Sequence, residues 1–222
     1  MVRGHLVGLI LLLGVTPALA EEAGTNSAVA GHANLQQLAP GDHWTYDEKD
    51  EISGTIRQTR TDMVTDVSKN EITVRYDVAN TNRSGSIIYD HSWNIVRDGP
   101  FRYLPNNGGG VQLPLTPGAQ WKFAIDVINS QNGQTFRRVG TSRVTGQESI
   151  TTTAGTFETF VIETTYAGKN NQDPTLVNQI TERTWFNPDV NHWVRRNIVQ
   201  RQGGHIVRNN TIELTAYGRK AQ

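Results

Sequence analysis

Cysteine is absent from all 222 residues of the chain. This excludes a disulfide framework, so a packed apolar core must stabilise the fold. A bacterial lipoprotein carries a cysteine directly after its cleaved leader, and the corresponding position here is Glu21. We therefore predict that the protein is not lipid-anchored.

Long hydrophobic runs are also lacking, apart from the segment Leu6 to Val15. This run is too short for a retained helix across a bilayer of about 30 Å. Arg3 precedes it and the small-residue motif Ala18-Leu-Ala20 follows it, as in a secretory signal peptide. We predict a signal peptide over residues 1–20 and a flexible leader over 21–37. The mature protein would begin at Glu21, without a membrane span, in the periplasm or outside the cell.

Neither sign of charge dominates, because 21 basic residues balance 21 acidic residues. A general nucleic-acid partner is therefore not expected, since such proteins carry a basic surface. The charges are nevertheless uneven along the chain. Acidic residues concentrate at 42–51 and arginines at 183–208. Charge runs of this kind predict solvated strand faces, with surface ion pairs between the two regions.

Motifs for catalysis or cofactor binding are missing. The chain has no Gly-x-Ser-x-Gly, no His-Glu-x-x-His, and no Gly-Lys-Ser/Thr after its Gly-rich segment 105–111. No two histidines have the spacing of a local metal site. Three histidines have an aspartate close in sequence, in the pairs Asp42-His43, Asp90-His91 and Asp189 with His192. We assign no catalytic, cofactor-binding or metal residue and no cofactor, although a histidine–aspartate hydrolase stays as an alternative.

The chain is rich in segments that alternate apolar and polar residues. Alternation with a period of two is clear over Glu71–Val78, Trp121–Val127 and Phe160–Tyr166. This period is typical of half-buried antiparallel strands. Turn signals such as Ser53-Gly54 and Asn132-Gly133 separate the segments. We predict an all-β protein of about ten strands.

An internal repeat divides the chain. The segment Leu38-Ala-Pro-Gly-Asp-His-Trp-Thr-Tyr46 recurs 77 residues later as Leu115-Thr-Pro-Gly-Ala-Gln-Trp-Lys-Phe123. A second match follows at an offset of 80, from Val64-Thr65 to Val144-Thr145. We predict one domain over 38–218, built from halves 38–104 and 115–218 and a Gly-rich connection 105–114 read as a linker or an exposed loop. Its architecture would be a single antiparallel barrel or a strongly bent sheet, since closure removes exposed edges.

The five tryptophans offer two interpretations. Trp44 and Trp121 occupy equivalent repeat positions, which favours core anchors, because folding requirements recur with each unit whereas one asymmetric ligand does not. The alternative is an aromatic-lined cavity for a lipid, a sugar or another hydrophobic ligand.

Two segments resemble a known family. They are Thr153-Ala-Gly-Thr-Phe-Glu-Thr-Phe-Val-Ile-Glu163 and Thr184-Trp-Phe-Asn-Pro-Asp-Val-Asn-His-Trp-Val-Arg-Arg196. The region 115–200 resembles a group of uncharacterised exported bacterial β-proteins, a domain of unknown function. That group is distantly similar to the unclosed β-barrels of periplasmic lipoprotein carriers. The resemblance implies an exported β-fold and transfers no reaction.

These observations favour an exported, non-catalytic binding or envelope-associated protein. Its partner would be a hydrophobic small molecule, a lipid or an envelope protein, and a ligand would lie inside the barrel or at its mouth. Besides the hydrolase, a structural or assembly partner is the remaining alternative, which predicts a broad exposed apolar strip.

Overall fold

The computed structural model describes residues 35, 37–173 and 175–219. The predicted signal peptide lies outside these residues, and of the predicted leader only Leu35 and Gln37 are described. All regular elements of the described residues are strands. They are β1 (His43–Asp50), β2 (Ile56–Val67), β3 (Ile72–Val78), β4 (Ser84–Tyr89), β5 (Ile95–Asp98), β6 (Phe101–Leu104), β7 (Gln120–Asn129), β8 (Thr135–Thr152), β9 (Gly155–Asn170), β10 (Val177–Asn187), β11 (His192–Gln202) and β12 (His205–Gly218).

The twelve strands form one closed antiparallel barrel, in which each strand pairs with its sequence neighbours and β1 pairs with β12. The predicted all-β barrel is thus confirmed. The prediction of about ten strands missed β6, because its four residues after the Asp98-Gly-Pro100 turn are too few to show a period. The β8–β9 hairpin is also longer than expected, since its pairing extends from Phe136↔Asn170 to Thr152↔Gly155.

Alternation along the strands separates the barrel interior from its surface. On β7, Trp121, Phe123, Ile125 and Val127 are buried, while the residues between them are more exposed. The barrel has two different ends. We call the end with the β2–β3, β4–β5, β8–β9 and β10–β11 turns the plug end, and the opposite end the polar end.

The repeated Pro-Gly segments form the same backbone structure. Gly41 and Gly118 both have positive φ, at 100° and 92°. Their N–H groups donate to the carbonyl groups of Val64 and Val144, at 2.8 Å in both cases. The partner strands β2 and β8 each contain an irregularity directly after these valines. Each turn therefore leads the chain into a buried tryptophan, Trp44 or Trp121.

The Gly-rich connection is more than an exposed linker. Val111 is 6% exposed and belongs to the apolar core. Gly108 accepts a hydrogen bond from the Trp121 indole at 2.9 Å. A methyl group on Gly110 would lie 2.1 Å from the Ser92 carbonyl oxygen, so only glycine fits there. Most residues of this connection are exposed, as predicted for a loop, but the absence of side chains at its glycines lets part of its backbone pack against the turn before β5.

Candidate functional site

The interior at the plug end is filled by a cluster that we call the aromatic plug. Its members are Trp44, Tyr46, Tyr89, Trp93, His192 and Trp193. Trp44 is fully buried and stacks on His192, with ring centroids 4.4 Å apart. Trp93 meets both rings edge-on, at 5.7 and 4.4 Å. The cluster closes this end of the barrel with interlocked rings.

The buried indole groups of the plug have hydrogen-bond acceptors. The Trp44 N–H donates to the Val190 carbonyl at 3.3 Å, and the Trp93 N–H donates to Asn191 Oδ1 at 3.0 Å. Both acceptors lie in the β10–β11 turn, where the Pro188 segment of the family resemblance ends β10 at Asn187. Trp44 is fully buried and its indole N–H already has an acceptor, which favours the interpretation of Trp44 as a core anchor. Trp93 and Trp193 belong to the plug and also line a cavity.

His192 contacts a tyrosine instead of an aspartate. Its Nδ1 forms a short hydrogen bond with the Tyr46 hydroxyl, which also donates to the Trp193 carbonyl at 3.0 Å. Since that hydroxyl has one proton, His192 donates through Nδ1–H. Burial, reinforced by the positive charges of Arg196 and Arg60, holds the pKa of His192 well below its ordinary value. The imidazole is therefore neutral.

The other two histidines near an aspartate have backbone carbonyl groups beside their rings. His91 Nε2 lies 2.9 Å from the Ser68 carbonyl, whereas Asp90 accepts from the backbone of Ser92 and Asn94 in its own turn. His43 Nδ1 lies 3.0 Å from the Gly41 carbonyl. None of these contacts provides the oriented base that the hydrolase alternative requires.

A neutral buried histidine should make stability depend on pH. Between the lowered folded pKa and about 6.5, the unfolded chain binds a proton that the folded chain does not. Stability should therefore fall as pH drops below about 6.5, by up to about 1.4 kcal/mol per pH unit. The His192→Asn variant keeps an amide N–H near the Nδ1 position but cannot titrate. Urea unfolding from pH 8 to 5 should show a steeper decline for the wild type, and equal slopes would contradict the assignment.

Beyond the plug, the interior contains ion pairs that we call the charged layer: Glu48–Arg208, Arg60–Asp62 and Glu182–Arg196. Their closest N···O distances are 2.8, 2.5 and 2.8 Å. Burial raises the pKa of Asp62 despite Arg60. Burial also opposes ionisation of Glu48, but hydrogen bonds from Asn210 and the charge of Arg208 outweigh it and lower its pKa.

The charged layer corrects the expectation of surface ion pairs between the acidic and basic regions. Glu48 and Arg208 do pair across the two regions, but their side chains lie on the inward faces of β1 and β12. Arg195 pairs instead with Glu213, and Arg183 with Glu148, both within the second half. Inward orientation could have been suspected on β1, where Glu48 follows Trp44 and Tyr46 at a period of two.

A cavity of about 140 Å³ lies beside the aromatic plug, and Asn94, Asn106 and Gly109 of the neighbouring connections contribute to its lining. Trp93, Trp193 and Tyr89 line it at the plug side, and Phe123 and Tyr166 line its wall. Two arginines and one glutamate also line it, namely Arg138, Arg196 and Glu182. The cavity therefore combines aromatic surface with a formal charge of +1. The sequence contained these residues but no local signal that they share one space.

Arg138 differs from the other interior arginines. Its guanidinium lies over the rings of Tyr103 and Tyr166, at 5.4 and 5.7 Å from their centroids. Among the described residues, no carboxylate oxygen lies within 4.0 Å of the guanidinium nitrogens of Arg138. Asp98 interacts with it only at longer range.

Two other features bear on function. Within the described part of the chain, no three His, Asp or Glu side chains are close enough to hold a metal ion, and no helix could cross a membrane.

The large apolar side chains at the surface are divided among polar-end hairpins, the connection and outer strand faces. They include Ile52, Val207, Leu104, Leu113 and Val139. Ile52, Ile56, Ile206 and Val207 lie on the neighbouring β1–β2 and β11–β12 hairpins at the polar end, and the assembly alternative stays a prediction.

Comparisons with known proteins match the fold. No family model and no curated protein matches the chain. A "putative lipoprotein" from Parabacteroides distasonis is similar in structure, with a TM-score of 0.54 and 14% identity over 82% of this chain and 100% of its own. A "putative exported protein with YmcC-like fold" from Bacteroides fragilis has a TM-score of 0.53 and 13% identity, over 85% and 100%. At these identities the likeness shows a shared fold, in agreement with the resemblance to exported β-proteins.

Proposed function

We propose that the chain is an exported, non-catalytic binding protein of the cell envelope whose barrel interior takes a small apolar ligand. The cavity of about 140 Å³ supports this proposal. Its volume is close to that of an engineered protein cavity of about 150 Å³ that binds benzene. A ligand group of one ring or a short branched chain would fit.

The cavity walls favour such a ligand physically. Aromatic faces from Tyr89, Trp93, Phe123, Tyr166 and Trp193 surround the space. Rings of this kind gain dispersion and stacking energy from a flat apolar group. The plug behind them is already hydrogen-bonded, so an incoming ring would not have to break those bonds.

Cavity filling provides a direct test. Ile95 is half-buried and lines the cavity, whereas Val139 is 52% exposed and, as the neighbour of the cavity-lining Arg138 in a regular part of β8, has its side chain on the outer face. Ile95→Phe should reduce binding of a neutral probe, benzyl alcohol, by at least about tenfold, because the added ring occupies the space. Binding would be followed by NMR through the indole N–H signals of Trp93 and Trp193.

Val139→Phe is the control for a phenyl group added outside the cavity and should bind benzyl alcohol like the wild type. If Ile95→Phe bound the probe as well as Val139→Phe, the ligand would lie elsewhere and the proposal would be wrong. The proposal would also be wrong if the wild type bound neither benzyl alcohol nor benzoate.

A further inference from the structure

We infer that the ligand of this cavity is a small carboxylate with a compact apolar body, held at its charged end by Arg138. This inference rests on the proposed function and names its ligand class. Three independent observations support it: the unpaired fork of Arg138, the net charge of the cavity and the order of the residues along the barrel.

The first observation is that Arg138 has unused donors. The arginines of the charged layer each have a carboxylate at 2.5 to 2.8 Å. Among the described residues Arg138 has no carboxylate partner of this kind: it lies over two tyrosine rings, makes one side-chain hydrogen bond with Tyr103 and interacts with Asp98 at longer range. A guanidinium has five N–H donors in a planar fork that matches a carboxylate with two parallel hydrogen bonds. The rings of Tyr103 and Tyr166 hold that fork in one orientation, which reduces the entropy lost on binding.

The second observation is electrostatic. Arg196 and Glu182 neutralise each other at 2.8 Å, so the +1 charge of the cavity lining belongs to Arg138. A monoanion would bring the lining to zero, whereas a cation would meet the charge of Arg138, which Asp98 offsets only at longer range. Partial burial of the lining makes this difference larger than it would be at the open surface.

The third observation is the position of Arg138 along the barrel. It lies three residues from the start of β8 at the polar end, whereas Trp93 and Trp193 belong to the plug. Its cross-strand partner is Gly168, where an added methyl group would meet nothing closer than 4.0 Å. Gly168 therefore leaves space beside the base of the Arg138 side chain. A ligand in the cavity would place its apolar body against the rings of the plug and its carboxylate at Arg138.

Benzoate and benzamide distinguish this inference from binding by shape alone, because they have nearly the same size and only benzoate is charged. By calorimetry at pH 7.5, the wild type should bind benzoate at least about tenfold more tightly than benzamide. Arg138→Gln should abolish this preference, while Arg138→Lys, which keeps the charge but loses the fork, should retain part of it. Acetate, which lacks the apolar body, should bind at least about tenfold more weakly than benzoate.

The matched control is Arg208→Gln, an interior arginine that does not line the cavity. This substitution should lower the free energy of unfolding, because Glu48 loses the charge of Arg208. The variant should still bind benzoate more tightly than benzamide. Arg138→Gln breaks no ion pair among the described residues and loses only the contacts with Tyr103 and Tyr166 and the longer-range interaction with Asp98, so the variant should remain folded and testable. Equal affinity of the wild type for benzoate and benzamide would refute the carboxylate inference and leave the cavity proposal standing. Absence of binding by either compound and by benzyl alcohol would refute both.

Discussion

Replacing Trp44 with alanine should lower the free energy of unfolding by about 3–5 kcal/mol, the range for large buried aromatic residues. Trp44 is fully buried, stacks on His192 and donates to the Val190 carbonyl. Its removal would leave a void among rigid rings that cannot collapse to fill it. Urea denaturation at pH 8, where His192 is neutral in both states, would measure the loss.

Trp185 provides the matched control for Trp44→Ala. It is 6% exposed, but it lies on the outer face of β10 beneath Arg183 and Arg195, and its indole donates to Glu148. Water and the flexible arginines can occupy the space left by Trp185→Ala, so the loss should be clearly smaller. Equal losses for the two variants would show that the aromatic plug is not the rigid centre of the barrel.

The second large effect concerns the Arg60–Asp62 ion pair. The Asp62 side chain is 4% exposed and lies 2.5 Å from Arg60, whose guanidinium also covers the Tyr76 ring at 4.4 Å. Asp62→Leu should cost about 3–5 kcal/mol, because a buried guanidinium would lose its partner. The double variant Arg60→Met with Asp62→Leu should recover most of this loss, since it removes both charges. Urea denaturation of the two single variants and the double variant would measure the coupling.

An exposed ion pair on the next strand is the control for this experiment. Arg75 and Asp77 are 3.0 Å apart, with side chains 54% and 51% exposed. Asp77→Leu should change stability by no more than about 0.5 kcal/mol, because solvent already screens this pair. If Asp62→Leu were equally mild, water would have to reach Arg60, and the charged layer would be part of an open mouth instead of a packed interior.

The architecture was accessible from local patterns. The alternation on β3, β7 and β9 and the turn residues between strands predicted an all-β barrel. The repeated Pro-Gly turn was recognised because the same backbone requirement, a positive φ at Gly41 and Gly118, selects the same residues twice. The strand β6 was missed because four residues form no period.

The cavity was not accessible in this way. Arg138, Glu182 and Arg196 lie on three strands, and each resembles an ordinary charged residue of a half-exposed face. Charge runs normally indicate solvated surfaces. Here the inward faces of several strands change from apolar to charged partway along the barrel, which no single segment reveals.

Alternation and turn chemistry act between residues a few positions apart, so the printed sequence was sufficient for the strand type, the repeated turns and the absence of a disulfide framework. Which polar side chains meet inside the barrel depends on how β1 closes against β12 and on the register between all neighbouring strands. These pairings bring together residues that are far apart in the sequence, such as Glu48 and Arg208. The folded structure alone therefore placed His192 against Tyr46, inserted the Gly-rich connection into the plug end and left Arg138 without a carboxylate beside an aromatic cavity.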